Sequence, residues 1–412
     1  MTAITAAVRS LGGDFPAEAF GRTYRLWPQV GDFSDLFTWD DLNEIIARHR
    51  LEPPRLRLFN DGAQVPQHAY AHPVVTKRHT VWHRIEPGNL HHQLNKGASL
   101  VLDAVDTLHR RVEHFAEALE RHLRTDVQVN LYASWTSKEG FGLHFDDHDV
   151  VVVQLEGAKR WKIHEPTRIA PLRIDVEAPE PPQGESIAEI VLRAGDMLYL
   201  PRGWWHAVAA AEDRSLHLTC GLKPTTGADL LAWLADQLRA SATVRANLPH
   251  FASREEQVAH LAALLTEFTS ALHDGVIEEF LCARGAMDPG RPMPSLPFVG
   301  GIPADEHLQV RLTASGAWYE VDGEGRVVMS AGGQDRMLSA RAHAYDLLDL
   351  TGAAGGEVWG YAGRSLPGPP WPRTAPPGCG WSATPRAKQA GSCGKAPGRQ
   401  NGSCLPPCPG HG

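Results

Sequence analysis

The chain of 412 residues has no run of eighteen or more apolar residues, so a membrane-spanning helix is not expected. Its first residues, MTAITAAVRSLGGDF, lack the basic start, apolar stretch and cleavage site of a secretory leader, and a cytoplasmic location is the expectation. Cysteine is scarce. Of six, only Cys220 and Cys282 lie in the body of the chain, while Cys379, Cys393, Cys404 and Cys408 fall near its end. No disulfide framework is legible, which fits a reducing compartment. Cys404, Cys408 and His411 match no common zinc spacing and are set aside. Basic excess is also missing. The formal charge is −8, which argues against broad nucleic-acid binding. Residues 364–412 hold six Lys/Arg and no acid, so residues 1–363 carry −14. Such a body can attract a basic macromolecule, although net charge of this kind also simply favours solubility.

What is present is a change of period along the chain. A helical stretch is expected around Phe33–Arg50, with Ser34, Asp35 and Trp39-Asp40-Asp41 supplying capping-type residues. Leu102, Val105, Leu108, Val112, Phe115, Leu119 and Leu123 recur at threes and fours, predicting an amphipathic helix over Ser99–Leu123. Val127, Val129 and Leu131 then alternate with Gln128, Asn130 and Tyr132, as in a half-buried strand. Further strand-like runs are Asp149–Leu155, Arg160–His164, Glu189–Arg193, Met197–Leu200 and Ser215–Leu222. Many short strands separated by Gly and Pro indicate a barrel or sandwich, a group that includes the double-stranded β-helix of cupins and jelly rolls.

From Gly227 to Ala286 the pattern is helical again. Leu230, Leu234 and Leu238 form one stripe; Val258, Leu261, Leu265, Phe268, Leu272 and Val276 form another, suited to packing, including against a second copy. Residues 300–363 read as two strands around Asp322-Gly323-Glu324-Gly325 and a helix near Met337–Leu350, a pattern that a small winged-helix-like module would fit. Residues 364–412 are rich in Pro, Gly, Ser and Cys with no apolar period, and disorder is expected there.

The chemistry concentrates in Gly140–His164 and Ala194–Val208. His144 and Asp146 stand two apart at the edge of a strand, so imidazole and carboxylate point to one face. Gly195-Asp196 makes a turn, a short strand follows, and the Pro201–Gly203 turn delivers His206. Two histidines and one carboxylate occupy one face of an octahedral ion and leave three positions open, which suits non-haem iron(II) oxygenases. His-x-Asp alone is a weak signal among 21 histidines, and His148 shares the parity of the pair as an alternative ligand. Lys159 shares a strand face with Trp161 and Ile163. A lysine on the apolar side of a barrel strand needs an anion, such as a cosubstrate carboxylate, unless it snorkels to the rim. Asn130 and Tyr132 share one strand face and can donate further hydrogen bonds to that carboxylate or to a substrate.

In order, Asn130 and Tyr132; His144 and Asp146; Gln154, Gly157, Lys159 and Trp161; and Gly195, Asp196, Tyr199, Pro201, Gly203 and His206 resemble the motifs of JmjC oxygenases. The ribosomal oxygenases, which hydroxylate a histidine or arginine of a ribosomal protein, are the subgroup it most resembles. The resemblance implies a mainly β double-stranded β-helix with added helices, iron(II) held by His144, Asp146 and His206, and 2-oxoglutarate held by Lys159 with Asn130 and Tyr132. It also implies O₂ as co-reactant, a basic ribosomal protein as substrate and a homodimer. The divisions expected are residues 1–98 as the N-terminal part of the JmjC region and 99–224 as the catalytic core, then 225–300 as a helical dimerisation region, 301–363 as the winged-helix-like module and 364–412 as the tail. Val150-Val151 departs from the Val-Phe often found there, which changes pocket volume and bears on substrate identity. The rival readings are an oxygenase acting on tRNA, methyl-lysine or a small metabolite, a zinc or manganese cupin isomerase or hydrolase, and a non-catalytic metal-binding cupin module.

Overall fold

Four consecutive valines, Val150–Val153, are each no more than 2% exposed, which requires a strand covered on both faces. In the computed structural model, which describes residues 2–79, 81–176, 180–292, 296–298, 314–321, 327–331 and 334–338, they lie in the middle of an antiparallel sheet. Its principal strands, beside a two-residue strand Ala63–Gln64 at one edge, are β1 (Arg25–Trp27), β2 (Leu56–Asn60), β3 (Ser99–Leu102), β4 (Val127–Ser134), β5 (Asp149–His164), β6 (Ala188–Arg193), β7 (Met197–Leu200) and β8 (Trp205–Leu222). In space they run β1-β7-β5-β8-β4-β3-β2, and β6 pairs with the second half of β5.

The two long strands serve both layers. The first half of β5 pairs with β7 and the second half of β8, while its second half pairs with β6 and the first half of β8. The changeover falls at register shifts between Ala210 and Ser215 and between Leu216 and His217. Such bulges bend paired strands. Gly157 permits the bend. Its φ is +67°, and a Cβ there would lie 2.0 Å from the Arg214 carbonyl oxygen. The sequence places two separate strands at Asp149–Leu155 and Arg160–His164; the structure has one strand through this glycine, which only resembles a turn. The residues of β8 before Ser215 were likewise not legible as strand.

Val150 and Val152 point between the layers, into a cluster with Trp161, Ile163, Leu192, Leu198 and Leu200. Val151 and Val153 point the other way, into the larger core shared with α1 (Ala3–Ser10), α2 (Trp39–Arg48) and α3 (Arg110–Leu123). α2 starts at Thr38, whose hydroxyl accepts from Asp41 N while Asp41 takes the Thr38 N–H; Ser34 is not the cap. The helix expected over Ser99–Leu123 is α3 only from Arg110. Ser99–Leu102 pairs with β2 and β4 as β3, because Leu100, Val101 and Leu102 form a continuous apolar run buried on both faces, a strand signal that lies ahead of the helical period.

Beyond the sheet come α4 (Gly227–Gln237), α5 (Arg254–Ala271) and α6 (Val276–Ala286). α4 and α5 each begin with a reciprocal cap, Thr226 with Asp229 and Ser253 with Glu256. A three-stranded antiparallel sheet follows, β9 (Trp318–Val321), β10 (Val327–Ala331) and β11 (Gln334–Leu338). Met337 and Leu338 are therefore strand, where the sequence suggests the start of a helix. The rest of that helix and the 364–412 tail lie outside the described residues. After α6, Arg291 returns to the core. Its guanidinium meets Asp106 at 2.5 Å, Glu120 at 2.8 Å and the Val127 carbonyl at 3.1 Å. Among the described residues no helix is long and apolar enough to cross a membrane.

Candidate active site

His144 and Asp146 lie between β4 and β5, and His206 is the second residue of β8. Main-chain pairing brings them together. His144 N donates to the His206 carbonyl at 3.1 Å and His206 N to the His144 carbonyl at 2.7 Å. Gly203 N donates to the Asp146 carbonyl at 2.9 Å, fixing the turn before His206 to the backbone of the acid. One ligand atom from each of the three side chains lies within 4.8 Å of the others. The imidazole centroids are 4.4 Å apart, and His206 Nε2 is 3.7 Å from Asp146 Oδ2.

The other ring nitrogens are already engaged. His144 Nδ1 lies 3.0 Å from the Gly142 carbonyl and His206 Nδ1 lies 3.0 Å from the Trp204 carbonyl. A carbonyl only accepts, so each Nδ1 carries the proton and each Nε2 lone pair is left for an ion. Burial and the facing His144 hold His206 well below the usual imidazole range. Burial raises Asp146, but His206, His148 and His144 outweigh it and keep the carboxyl ionised. Two neutral nitrogens and one carboxylate on a single face fit a divalent ion with open positions. His148 is not part of the cluster; its Nδ1 lies 2.9 Å from Asp147 Oδ1.

The cluster opens on a cleft that encloses about 520 Å³, part of it open to solvent, lined among others by Ser99, Tyr132, Phe141, Lys159, Trp161 and His217. Lys159 is 4% exposed. Its Nζ donates to Ser134 Oγ at 2.7 Å, and Ser134 Oγ lies 2.9 Å from Ser99 Oγ. Among the described residues no carboxylate pairs with it, and burial pushes its pKa down to about 7. A buried ammonium with only a hydroxyl beside it is half of an ion pair, and an anion completes it.

Tyr132 lines the same cleft, stacked on His217 at 5.0 Å with an interplanar angle of 7°. Burial raises its pKa, so the hydroxyl remains a donor. Asn130 stands behind it, its side chain against the Tyr132 hydroxyl and outside the lining of the cleft. Its Oδ1 accepts from Ala104 N at 2.9 Å and from Gln128 Nε2 at 3.0 Å. Ser99, Ser134 and His217 belong to no motif in the sequence. A signal existed for the last: Leu216, Leu218, Cys220 and Leu222 take the core face of β8, which leaves His217 and Thr219 on the cleft face.

Two facing antiparallel layers with a His/Asp/His cluster at their mouth define a cupin-like double-stranded β-helix. More particularly, residues 104–230 match the family model described as JmjC domain. It is 27% identical over 212 residues to the bifunctional lysine-specific demethylase and histidyl-hydroxylase NO66 of Dictyostelium discoideum, covering 50% of this chain and 40% of that protein. It is 35% identical over 127 residues to ribosomal oxygenase 1 of Gallus gallus, covering 30% and 21%. The chain thus spans less than half the length of these relatives. The structure of YcfD, a ribosomal oxygenase from Escherichia coli, in complex with cobalt and 2-oxoglutarate superposes with a TM-score of 0.52 at 18% identity, over 83% of this chain and 88% of YcfD. At that identity the likeness speaks for the fold.

Proposed function

We propose that this chain is an iron(II)- and 2-oxoglutarate-dependent oxygenase that hydroxylates a side chain of a basic protein, a ribosomal protein foremost. The observation that carries the reading is the juxtaposition, in one cleft, of the three-ligand cluster and the buried Lys159 without a carboxylate partner. A metal-only cupin has no need of the second element. When bound, iron(II) and 2-oxoglutarate supply the activation of O₂ and the insertion of one oxygen atom into a C–H bond.

The chain's own residues then have separable tasks. His144, Asp146 and His206 hold one face of the ion, with both imidazoles kept in the Nε2-presenting tautomer by the Gly142 and Trp204 carbonyls. Lys159 and Ser134 bind the distal carboxylate of the cosubstrate, and the Tyr132 hydroxyl donates from the adjoining wall. Trp161, stacked on His206 at 5.5 Å, and Val150 and Val208 keep the floor dry, which strengthens each of these polar contacts. The excess of acidic residues in the body supports a basic partner. Val258, Leu261 and Leu265 on α5 are 55–62% exposed, and we assign this row to contact with a second copy.

The test is intact-mass analysis of ribosomal proteins from cells with and without the gene. Gain of one oxygen atom on one protein, present only with the gene, is the expected result. Loss of methyl groups from a lysine instead would favour the demethylase activity named for the NO66 relatives. No change in any ribosomal protein would remove that substrate class.

A further inference from the structure

His217 is 3% exposed and lies on the cleft wall, yet none of the roles above uses it. In the register of β8 it faces Tyr132 on one side, where the rings stack, and Gln154 on the other. Trp161 meets it edge-on at 6.1 Å. Its Nδ1 is buried and has no hydrogen-bond partner among the described residues. As a spacer between two aromatic rings the position calls for phenylalanine, which fills the same space and buries no unsatisfied nitrogen. Trp161 Nε1 is a second buried donor without a partner on a side chain of the same wall. Together with Lys159 and Ser134, the wall offers more donors than the protein satisfies, all of them within one apolar surround. Such a surface is complementary to a group with several acceptor oxygens and few protons.

We propose that His217, as its neutral Nδ1–H tautomer, is a cosubstrate-binding residue that donates to the distal carboxylate of 2-oxoglutarate, and so sets selectivity for dicarboxylic over monocarboxylic 2-oxoacids. The inference rests on the 2-oxoglutarate reading of the cleft. Burial and the nearby Lys159 ammonium both hold the imidazole well below its ordinary pKa, so it is neutral and has one N–H to give. Lys159 supplies the charge, and His217 supplies direction from the opposite strand.

The experiment is calorimetric titration of the manganese(II)-loaded full chain with 2-oxoglutarate and with 2-oxopentanoate, which lacks the distal carboxylate. His217→Phe keeps the stack and deletes the nitrogen; it is expected to raise the Kd for 2-oxoglutarate about tenfold and to leave that for 2-oxopentanoate unchanged. His217→Asn places an amide nitrogen near the Nδ1 position and is expected to stay within about threefold of the parent for 2-oxoglutarate. Equal weakening of both ligands by His217→Phe, or a change under twofold for 2-oxoglutarate, overturns the proposal. So does a tenfold loss with His217→Asn, which would assign the effect to the ring stack. If Lys159→Ala loses 2-oxoglutarate while His217→Phe does not, only the role of His217 fails. If the parent protein binds neither acid, the cosubstrate reading itself fails and this inference with it.

Discussion

Two buried cations in this molecule have opposite surroundings. Arg291 is enclosed by Asp106, Glu120 and the Val127 carbonyl, and these carboxylates outweigh its burial and push its pKa further up. Lys159 lies deeper in the fold but has a serine hydroxyl for company, and its pKa is down near 7. The first arrangement is closed: the positive charge has two carboxylates supplied by the chain, and these pairs tie the segment after α6 to β4 and α3. The second is open. A protein that buries an ammonium beside a metal-ligand cluster without supplying the counter-charge leaves that place for something that arrives from solution.

The contrast can be broken at either end, and the metal cluster sets the outer limit. His206→Ala removes one of three ligands and is expected to abolish turnover and to weaken manganese binding by about 100-fold or more, read by titration with the metal alone. Arg291→Ala leaves Asp106 and Glu120 buried without a partner. It is expected to cost about 3–5 kcal/mol in urea unfolding while the Kd for 2-oxoglutarate stays put; a loss of affinity as large as the loss of stability would make Arg291 part of the site. Lys159→Ala should do the reverse, weakening 2-oxoglutarate binding by about 30–100-fold, or roughly 2–3 kcal/mol, with unfolding stability equal or higher. A fall in stability matching that of Arg291→Ala would show that Lys159 is structural.

The smallest effect is in pH. The folded, ligand-free Lys159 titrates near 7 and the unfolded one near 10.5. Between these values the unfolded chain holds the proton and the folded chain does not, so this group makes stability rise with pH through that window. A bound dicarboxylate raises the folded pKa, so binding takes up a proton. Affinity for 2-oxoglutarate should therefore fall as pH rises above about 7, by at most about tenfold per unit. Calorimetry at pH 8 in two buffers of different ionisation enthalpy measures the proton; equal heats in both would contradict the expectation, and Lys159→Met should give equal heats.

Much of the site was legible because its signals are local. His144 and Asp146 share strand parity, and Pro201–Gly203 announces a turn just before His206. Lys159 was legible because a charge on an apolar strand face is anomalous. What escaped depends on partners far along the chain. Ser134 and Ser99 are unremarkable in sequence and acquire meaning only when the pairing of β3 with β4 and the fold of β5 bring them to Lys159. Asn130 is a converse case, since the Ala104 amide that its Oδ1 also serves is 26 residues away. Gly157 looked like a break between strands because a positive φ and a turn call for the same residue. Arg291 stands among Pro, Gly and Met, with no period to flag it.

Both metal-facing imidazoles take their orientation from peptide carbonyls, those of residues 142 and 204. No neighbouring side chain has to be a particular acid or amide for the rings to stay aligned. The lock is written in the path of the main chain, so any substitution that preserves the path preserves the ligands. Side chains around the mouth, such as Leu143 at 39% exposure, are thereby released to vary with whatever the cleft must grip. The chemistry is held by the part of the polypeptide that mutation alters least, and recognition is left to the part it alters most.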